Sequence, residues 1–331
     1  MSELKKQFRQ NNSSPFRFLI FSFEKYILFS FLALSIVFVF ACSKKTKIIR
    51  QPNSFTNEEI ASLPQIIGGE EVKNADPIAH STVAINSSIN GNSCSGVLIS
   101  QHIVLTAAHC TLGLREPKSM SIVFNRNLLE KQVKRAVIGA QVTNLWLQFN
   151  DSKDKDVGDL ALLRFDGDLP AGYQAATIFS MPIASLNDQT QVVIAGYGNQ
   201  SMSPFQNLQK LFKALLPLGI QPGMDSNSDP AKNPSNFMDT EFTLANHNGI
   251  NACHGDSGGA AFLAQDYSVL GVASRSATLN GTINCQEGTI YTSAFAHLEF
   301  INKTKTLMES TSFIPNLPIP QPGNLMPRIS Q

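Results

Sequence analysis

The sequence predicts an all-β fold, a barrel or sandwich of short strands closed by one helix. The chain of 331 residues has room for one large or two medium domains, and its hydrophobic content of 43% is that of a globular protein. From Ser81 to Arg164 short apolar runs alternate with turn residues: 83–85, 96–99, 103–105, 122–124 and 160–165. A second set covers 191–195, 208–216, 237–244, 260–263, 269–273 and 289–292. Many short strands at this spacing are the signature of such folds. Near the end, Phe295, Leu298 and Ile301 recur at helical spacing, with Glu299 and Lys303 four apart, which predicts a C-terminal helix.

The N-terminus reads as a targeting segment. Lys5, Lys6, Arg9, Arg17 and Lys25 precede an apolar run from Leu28 to Ala41. That is a signal-peptide length, short of the ~20 residues that span a bilayer. Val39-Phe40-Ala41-Cys42 resembles a bacterial lipobox, in which the cysteine is lipidated and becomes the mature N-terminus. Residues 1–41 are therefore expected to be a signal peptide and 42–65 a tether. The tether is polar and opens with Lys44, Lys45, Lys47 and Arg50, a composition suited to anionic headgroups. Of the five cysteines, Cys42 is the odd one, and lipidation accounts for it. The other four are expected to pair as Cys94 with Cys110 and Cys253 with Cys285. The first pair closes a loop worth about 3 kcal/mol in the chain-entropy model, and the second braces the loop carrying Ser257.

Gly167 to Tyr173 is rich in turn residues, and the stretch to Leu186 reads as a connector between two halves, 66–181 and 182–303. The segment 304–331 carries Pro315, Pro318, Pro320, Pro322 and Pro327 and is expected to be an extended or disordered tail. A formal net charge of +1, with no long basic run, gives no footprint for nucleic acid. Neither a phosphate loop nor a dinucleotide fingerprint is present, so no cofactor is expected. His247, Cys253 and His254 lie close in sequence, but Cys253 is assigned to its disulfide, so no metal is expected.

Chemistry concentrates in Cys253-His254-Gly255-Asp256-Ser257-Gly258-Gly259. Glycines bury almost nothing and let a backbone turn sharply. Here they can aim the amides of Gly255 and Ser257 at one spot beside the Ser257 hydroxyl, which is the layout of an oxyanion hole. A serine hydroxyl attacks only when a base removes its proton and a third group holds that base. His109, in Leu105-Thr106-Ala107-Ala108-His109-Cys110, is the candidate base. Asp159 enters the apolar stretch Leu160-Ala161-Leu162-Leu163 and will be buried, so its charge needs a partner such as an imidazole N–H. Asp151, Asp154 and Asp156 read as loop charges.

These residues resemble the trypsin/chymotrypsin family of serine proteases. Five motifs stand in the family's order between Ile66 and about Lys303: IIGG, LTAAHC, DLALL, GYGN and CHGDSGG. The resemblance implies two packed six-stranded antiparallel β-barrels with a C-terminal helix, and peptide hydrolysis through an acyl-enzyme. It implies Ser257 as nucleophile, His109 as base and acid, Asp159 as orienting carboxylate, and the amides of Gly255 and Ser257 as oxyanion donors. Cleavage before Ile66, by another protease or by the enzyme itself, would create an ammonium that pairs with Asp256. Asn251, His254, Ser274, Arg275, Ser276 and Thr289 would face substrate, with 274–276 pairing as a strand edge. Asn251 stands where a trypsin-like pocket needs an aspartate, so cleavage after Lys or Arg is not expected. Thr289 and Ser276 replace family glycines and Arg275 a tryptophan, which points to a polar, shallow pocket for a small or polar P1 residue. A monomer is expected, acting on protein or peptide and tethered through Cys42 to a membrane surface, or secreted. The alternative is a protease-like binding module with impaired catalysis; an esterase on the same fold shares the mechanism.

Overall fold

A computed structural model of the chain describes residues 66–89, 93–148, 157–198, 210–219, 240–253, 255–277 and 288–322. The expected signal and tether, Cys42, Gln65, His254, Cys285 and the loop charges Asp151, Asp154 and Asp156 lie outside the described residues. None of the described helices is long and apolar enough to cross a membrane.

The all-β expectation holds. Strands β1 (Glu70–Glu71), β2 (Thr82–Ser87), β3 (Ser93–Leu98), β4 (Ile103–Thr106), β5 (Met120–Phe124), β6 (Val133–Val142) and β7 (Ala161–Phe165) precede β8 (Gln191–Gly196). Then come β9 (Phe212–Pro217), β10 (Glu241–Ala245), β11 (Ala260–Leu263), β12 (Val269–Ser276) and β13 (Gly288–Ser293). Among the described residues there are two α-helices, α1 (Asn144–Gln148) and α2 (Leu298–Glu309). The first half closes into a six-stranded barrel in the order β2-β3-β4-β7-β6-β5. The second half is a seven-stranded sheet, β1-β9-β8-β11-β12-β13-β10, in which the extra strand is the short β1 laid beside β9. The ten-residue β6 and the short α1 escape a reading by apolar runs, because the first half of β6 carries exposed Lys134 and partly exposed Arg135.

Strand alternation explains how the halves are joined. Successive side chains of a strand point to opposite faces. On β4, Val104 faces the first barrel's interior while Ile103 and Leu105 face a shared cluster; Leu163 and Leu162 of β7 divide the same way. From the other side, Val193, Ala195, Phe262 and Val272 enter that shared cluster, and Val192, Ile194 and Leu270 face the second half's own core. Both faces of these strands are dry, so they read as continuous apolar runs. The helix α2 buries Ile301 and Met308 in the shared cluster.

The helix runs to Glu309, beyond the 303 boundary expected from its sequence, and the segment after it packs against the first barrel. The guanidinium of Arg164 sits 4.5 Å from the centre of the Phe313 ring. The amide of Asn316 donates to Ile138 O at 2.7 Å, and that of Ile319 donates to Arg115 O at 2.8 Å. Ile319, only 3% exposed, joins the barrel core. The Gln321 side chain accepts from Gly113 N at 3.0 Å and donates to Leu114 O at 2.9 Å and Thr111 O at 3.2 Å. Residues 310–322 are thus an extended strap, not a loose tail, and they end on the turn that follows His109.

Ile319→Ala is expected to lower unfolding free energy by about 2–4 kcal/mol, the usual loss for a truncated core aliphatic. Urea denaturation of the variant beside wild type checks this, and an unchanged midpoint would show that the strap adds nothing to the barrel.

Candidate active site

His109 lies in a 3₁₀ turn, Ala108–Thr111, directly after β4. Ala107 and Ala108 are fully buried, Thr111 Oγ1 donates to Ala108 O at 2.8 Å, and Cys110 is disulfide-bonded to Cys94 of β3 (S–S 2.07 Å). The expected Cys94–Cys110 bridge is therefore present, and it anchors the turn to the neighbouring strand. Cys253 is also disulfide-bonded, while its expected partner Cys285 lies outside the described residues.

Asp159 precedes β7, at the tip of a tight turn closed by Leu160 N donating to Gly158 O at 2.7 Å. It is 1% exposed, so its charge must be met locally. Oδ1 accepts the backbone N–H of His109 at 2.8 Å, and Oδ2 accepts from His109 Nδ1 at 2.7 Å and from the Ser274 hydroxyl at 2.6 Å. This carboxylate selects the imidazole tautomer protonated on Nδ1. His109 Nε2 has no hydrogen-bond partner among the described residues, and the side chain is 17% exposed. Burial pushes the imidazole toward neutrality, but the Asp159 charge and hydrogen bond outweigh it and raise the His109 pKa. Burial likewise opposes ionisation of Asp159, yet the His109 charge, with the bonds from His109 and Ser274, holds its pKa below the ordinary value.

The loop bearing Ser257 docks on the first barrel. Ser257 O accepts from Ser95 N at 2.8 Å and lies 3.8 Å from Cys110 Sγ, beside the residue that follows His109. Gly258 permits this approach: a Cβ there would fall 2.0 Å from Thr106 Oγ1 and 2.5 Å from Ser95 O. The amides of Gly255 and Ser257 donate to no partner among the described residues. Every other described amide of the loop is taken: Asp256 N donates to Cys253 O, Gly258 N to Ala273 O and Gly259 N to Asp256 O.

Asp256 is 2% exposed and turned away from His109's carboxylate partner toward the second sheet. Its oxygens accept from Gly198 N at 2.8 Å and Cys253 N at 2.9 Å. The turn Gly196-Tyr197-Gly198 wraps the carboxylate so closely that a Cβ at Gly198 would stand 2.4 Å from Oδ2. Burial drives the Asp256 pKa up to about 7, against the pull of those two amides. Ile66, fully buried, belongs to the second core with Ala252 and Tyr291. Ile67 and Asn251 exchange backbone hydrogen bonds at 3.1 and 3.2 Å, which fixes the start of the segment near Cys253.

The expected substrate residues that the structure describes have the following partners. Asn251 (1% exposed) and Thr289 are buried together, with Thr289 Oγ1 donating to Asn251 Oδ1 at 2.9 Å. Ser276 stands opposite Thr289 in the β12–β13 ladder. That ladder reaches Ser276, whereas pairing of β12 with β11 stops at Val272. Arg275 makes a double-pronged ion pair with Glu241, both bonds 2.7 Å, and the Glu241 side chain is wholly buried. Sequence reasoning missed Glu241 and Ser95. Glu241 opens β10 and Ser95 lies within β3, and only the partner across the structure distinguishes either from a solvent-facing polar residue. Cys94, His109 and Cys110 place a nitrogen and two sulfurs within 4.8 Å of one another, but the sulfurs are bonded together and offer no thiolate to a metal.

A closed barrel and a second sheet, with an Asp–His pair meeting a glycine-rich serine loop at their seam, define a class of two-barrel proteins. The family model described as Trypsin matches residues 66–301, and the chain belongs to that family. It is 28% identical over 201 residues to a trypsin of Saccharopolyspora erythraea, covering 59% of this chain and 80% of the relative. It is 27% identical over 246 residues to chymotrypsin-like elastase family member 1 of Macaca fascicularis, covering 72% and 89%. Coagulation factor XII of Cavia porcellus is 27% identical over 262 residues, covering 74% of this chain and 41% of that protein.

Between an unfolded carboxyl at 3.8 and a folded one at about 7, the folded chain keeps a proton that the unfolded chain has released. Raising the pH through this window therefore favours unfolding. The full chain is expected to lose on the order of a few kcal/mol of stability from about pH 4 to 7 through Asp256, at ~1.4 kcal/mol per unit of pKa difference. His109, whose raised pKa adds stability at low pH that fades above it, contributes a decline of its own, so the comparison must be with Asp256→Asn. Urea midpoints across that range should fall more steeply in wild type; parallel curves would place the Asp256 proton elsewhere.

Proposed function

We propose that the chain is a serine endopeptidase that hydrolyses peptide bonds through an acyl-enzyme. The observation that carries this reading is the buried Asp159 carboxylate holding His109 by its main chain and Nδ1, with Nε2 unpartnered at the seam where the Ser257 loop docks. In this reading Nε2 takes the Ser257 hydroxyl proton as Oγ attacks the scissile carbonyl, and returns it to the leaving amine. Asp159 stabilises the imidazolium that forms, consistent with the raised His109 pKa. The uncommitted amides of Gly255 and Ser257 receive the developing oxyanion, a contribution worth several kcal/mol when pre-organised. Water then attacks the acyl-enzyme, with His109 again as base.

Activation follows from Asp256. In the intact chain its carboxylate is buried with amide partners and, among the described residues, no cation, the arrangement that holds its pKa near 7. Cleavage before Ile66, by another protease or in self-processing after Gln65, supplies an ammonium to pair with it. The pair fixes the loop that carries the oxyanion donors; a buried pair is favourable only when its geometry is good.

At the pocket, the Asn251–Thr289 hydrogen bond supplies no negative charge, which favours a small or polar P1 side chain over Lys or Arg. Ser274 is committed to Asp159 and Arg275 to Glu241, so neither is offered to substrate as an isolated polar group. The 274–276 edge, extending past β11, is the surface on which a substrate strand pairs, and His254 is read as a further substrate contact. The protein is read as exported, tethered by a lipid on Cys42 or secreted, and monomeric.

A fluorophosphonate probe should label wild type cut before Ile66 and leave Ser257→Ala unlabelled. Ser257→Ala or His109→Ala should lower kcat by on the order of 10⁶. A cut wild type that resists the probe would instead make this a protease-like binding module. Cutting should also flatten the pH dependence of stability that Asp256 confers on the full chain, because an ion-paired carboxylate is charged throughout that range. A slope that survives cutting would remove Asp256 from the activation step. N-terminal sequencing of exported wild type and Ser257→Ala separates the two routes, since identical processing excludes self-cutting.

A further inference from the structure

Ser95 on β3 is fully buried, and all its polar groups are engaged. Its N–H donates to Ser257 O at 2.8 Å, and its carbonyl accepts from Thr106 Oγ1 at 2.8 Å. Its hydroxyl accepts from Tyr197 N at 2.9 Å and donates to Gly255 O at 3.0 Å. A hydroxyl has one proton. Because a main-chain amide can only donate, Tyr197 takes a lone pair and the Ser95 proton goes to Gly255.

We propose that Ser95 is a positioning residue for the oxyanion donors, holding the Gly255 half of the site from across the barrel seam. This rests on the endopeptidase reading above. The two donor amides are held by different means. The Ser257 N–H is antiparallel to Asp256 C=O across their shared peptide, and Gly259 N fixes that carbonyl at 2.7 Å. This half of the site is secured within the loop itself. The Gly255 N–H shares its peptide with His254, which lies outside the described residues; the restraint the described residues place on Gly255 is on its carbonyl side. Gly255 has φ +90°, and its direction is set by the torsions on either side of its Cα. The peptide that follows it is fixed at Gly255 O by the Ser95 hydroxyl and at Asp256 N by Cys253 O. Losing the hydroxyl releases the carbonyl of a glycine, a residue type with wide torsional freedom. Tyr197 N is orphaned by the same change, and its neighbour Gly198 holds Asp256. One hydroxyl on the first barrel therefore ties together the nucleophile loop and the turn that cradles Asp256.

The test compares Ser95→Ala with wild type, both cut before Ile66, on one peptide substrate chosen from a library. Ser95→Ala is expected to lower kcat by about 10–100-fold, less than the 10²–10³ for deleting a donor outright. KM should change little, and the acid limb of the pH–rate profile, set by His109, should stay in place. A peptide aldehyde, whose adduct occupies the oxyanion site, should bind more weakly in proportion to the lost kcat. The matching peptide alcohol, which forms no adduct, should bind as before. Unchanged kcat and aldehyde affinity would overturn the proposal, as would equal weakening of aldehyde and alcohol, the mark of a general structural defect. If Ser95→Ala does not fold, Ser95→Thr and Ser95→Val carry the test, being matched in volume and differing in the hydroxyl. Thr is expected to keep activity that Val loses, and equal activity would overturn the inference. Fluorophosphonate labelling of wild type separates the two claims. A wild type that labels while Ser95→Ala matches it overturns this inference alone, whereas an unlabelled wild type overturns the endopeptidase reading and this inference with it.

Discussion

The burial of Asp159 is the constraint on which the site depends. A carboxylate with 1% exposure cannot stay charged without donors, and three converge on it: the His109 amide, the His109 ring and the Ser274 hydroxyl. Two come from the turn after β4 of the closed barrel and the third from β12 of the second sheet. Satisfying one charge thereby fixes the imidazole's tautomer and orientation and draws the two halves together at that point. These donors hold the Asp159 pKa down against burial, and the Asp159 charge and hydrogen bond in turn raise the His109 pKa.

A second buried carboxylate gives the contrasting case. Among the described residues Asp256 has two main-chain donors and no cation, and burial lifts its pKa to about 7. Two acids of one type, each almost fully buried, thus differ in protonation because their partners differ. The state of Asp159 is set by side chains within the folded barrels. That of Asp256 is set by main-chain amides beside the core in which Ile66 is buried. The glycines of the Gly196-Tyr197-Gly198 turn follow from the same requirement, since the wrapped carboxylate occupies the space their side chains would need.

The seam is held by polar contacts as well as by the shared apolar cluster. Ser95 and Ser257 join through the main chain, the Ser95 hydroxyl reaches both Gly255 and Tyr197, and the strap after α2 ends on Gly113 and Leu114 behind the His109 turn. Each of these contacts spans scores of residues along the chain. Arg275 and Glu241 add a paired charge within the second sheet, between β12 and β10 on either side of β13.

The sequence alone determined the fold class, the five motifs and the identity of the Asp159–His109 pair, because each leaves a local mark. Short apolar runs follow from strands buried on both faces. An aspartate leading an apolar strand must find a donor, and three glycines around a serine have no packing purpose. The Cys94–Cys110 bridge is the expected pairing and is present, although four cysteines by count alone allow three pairings. Tertiary structure alone decided what depends on meetings across the seam. Ser95 looks like any strand serine until Gly255 O and Tyr197 N come within reach of its hydroxyl, and Glu241 is unremarked until Arg275 folds onto it. The proline-rich tail carries too few apolar residues to read as a core element, yet Phe313 and Ile319 find sites on the first barrel. Such contacts are set by the placement of whole strands, which the composition of no single segment contains.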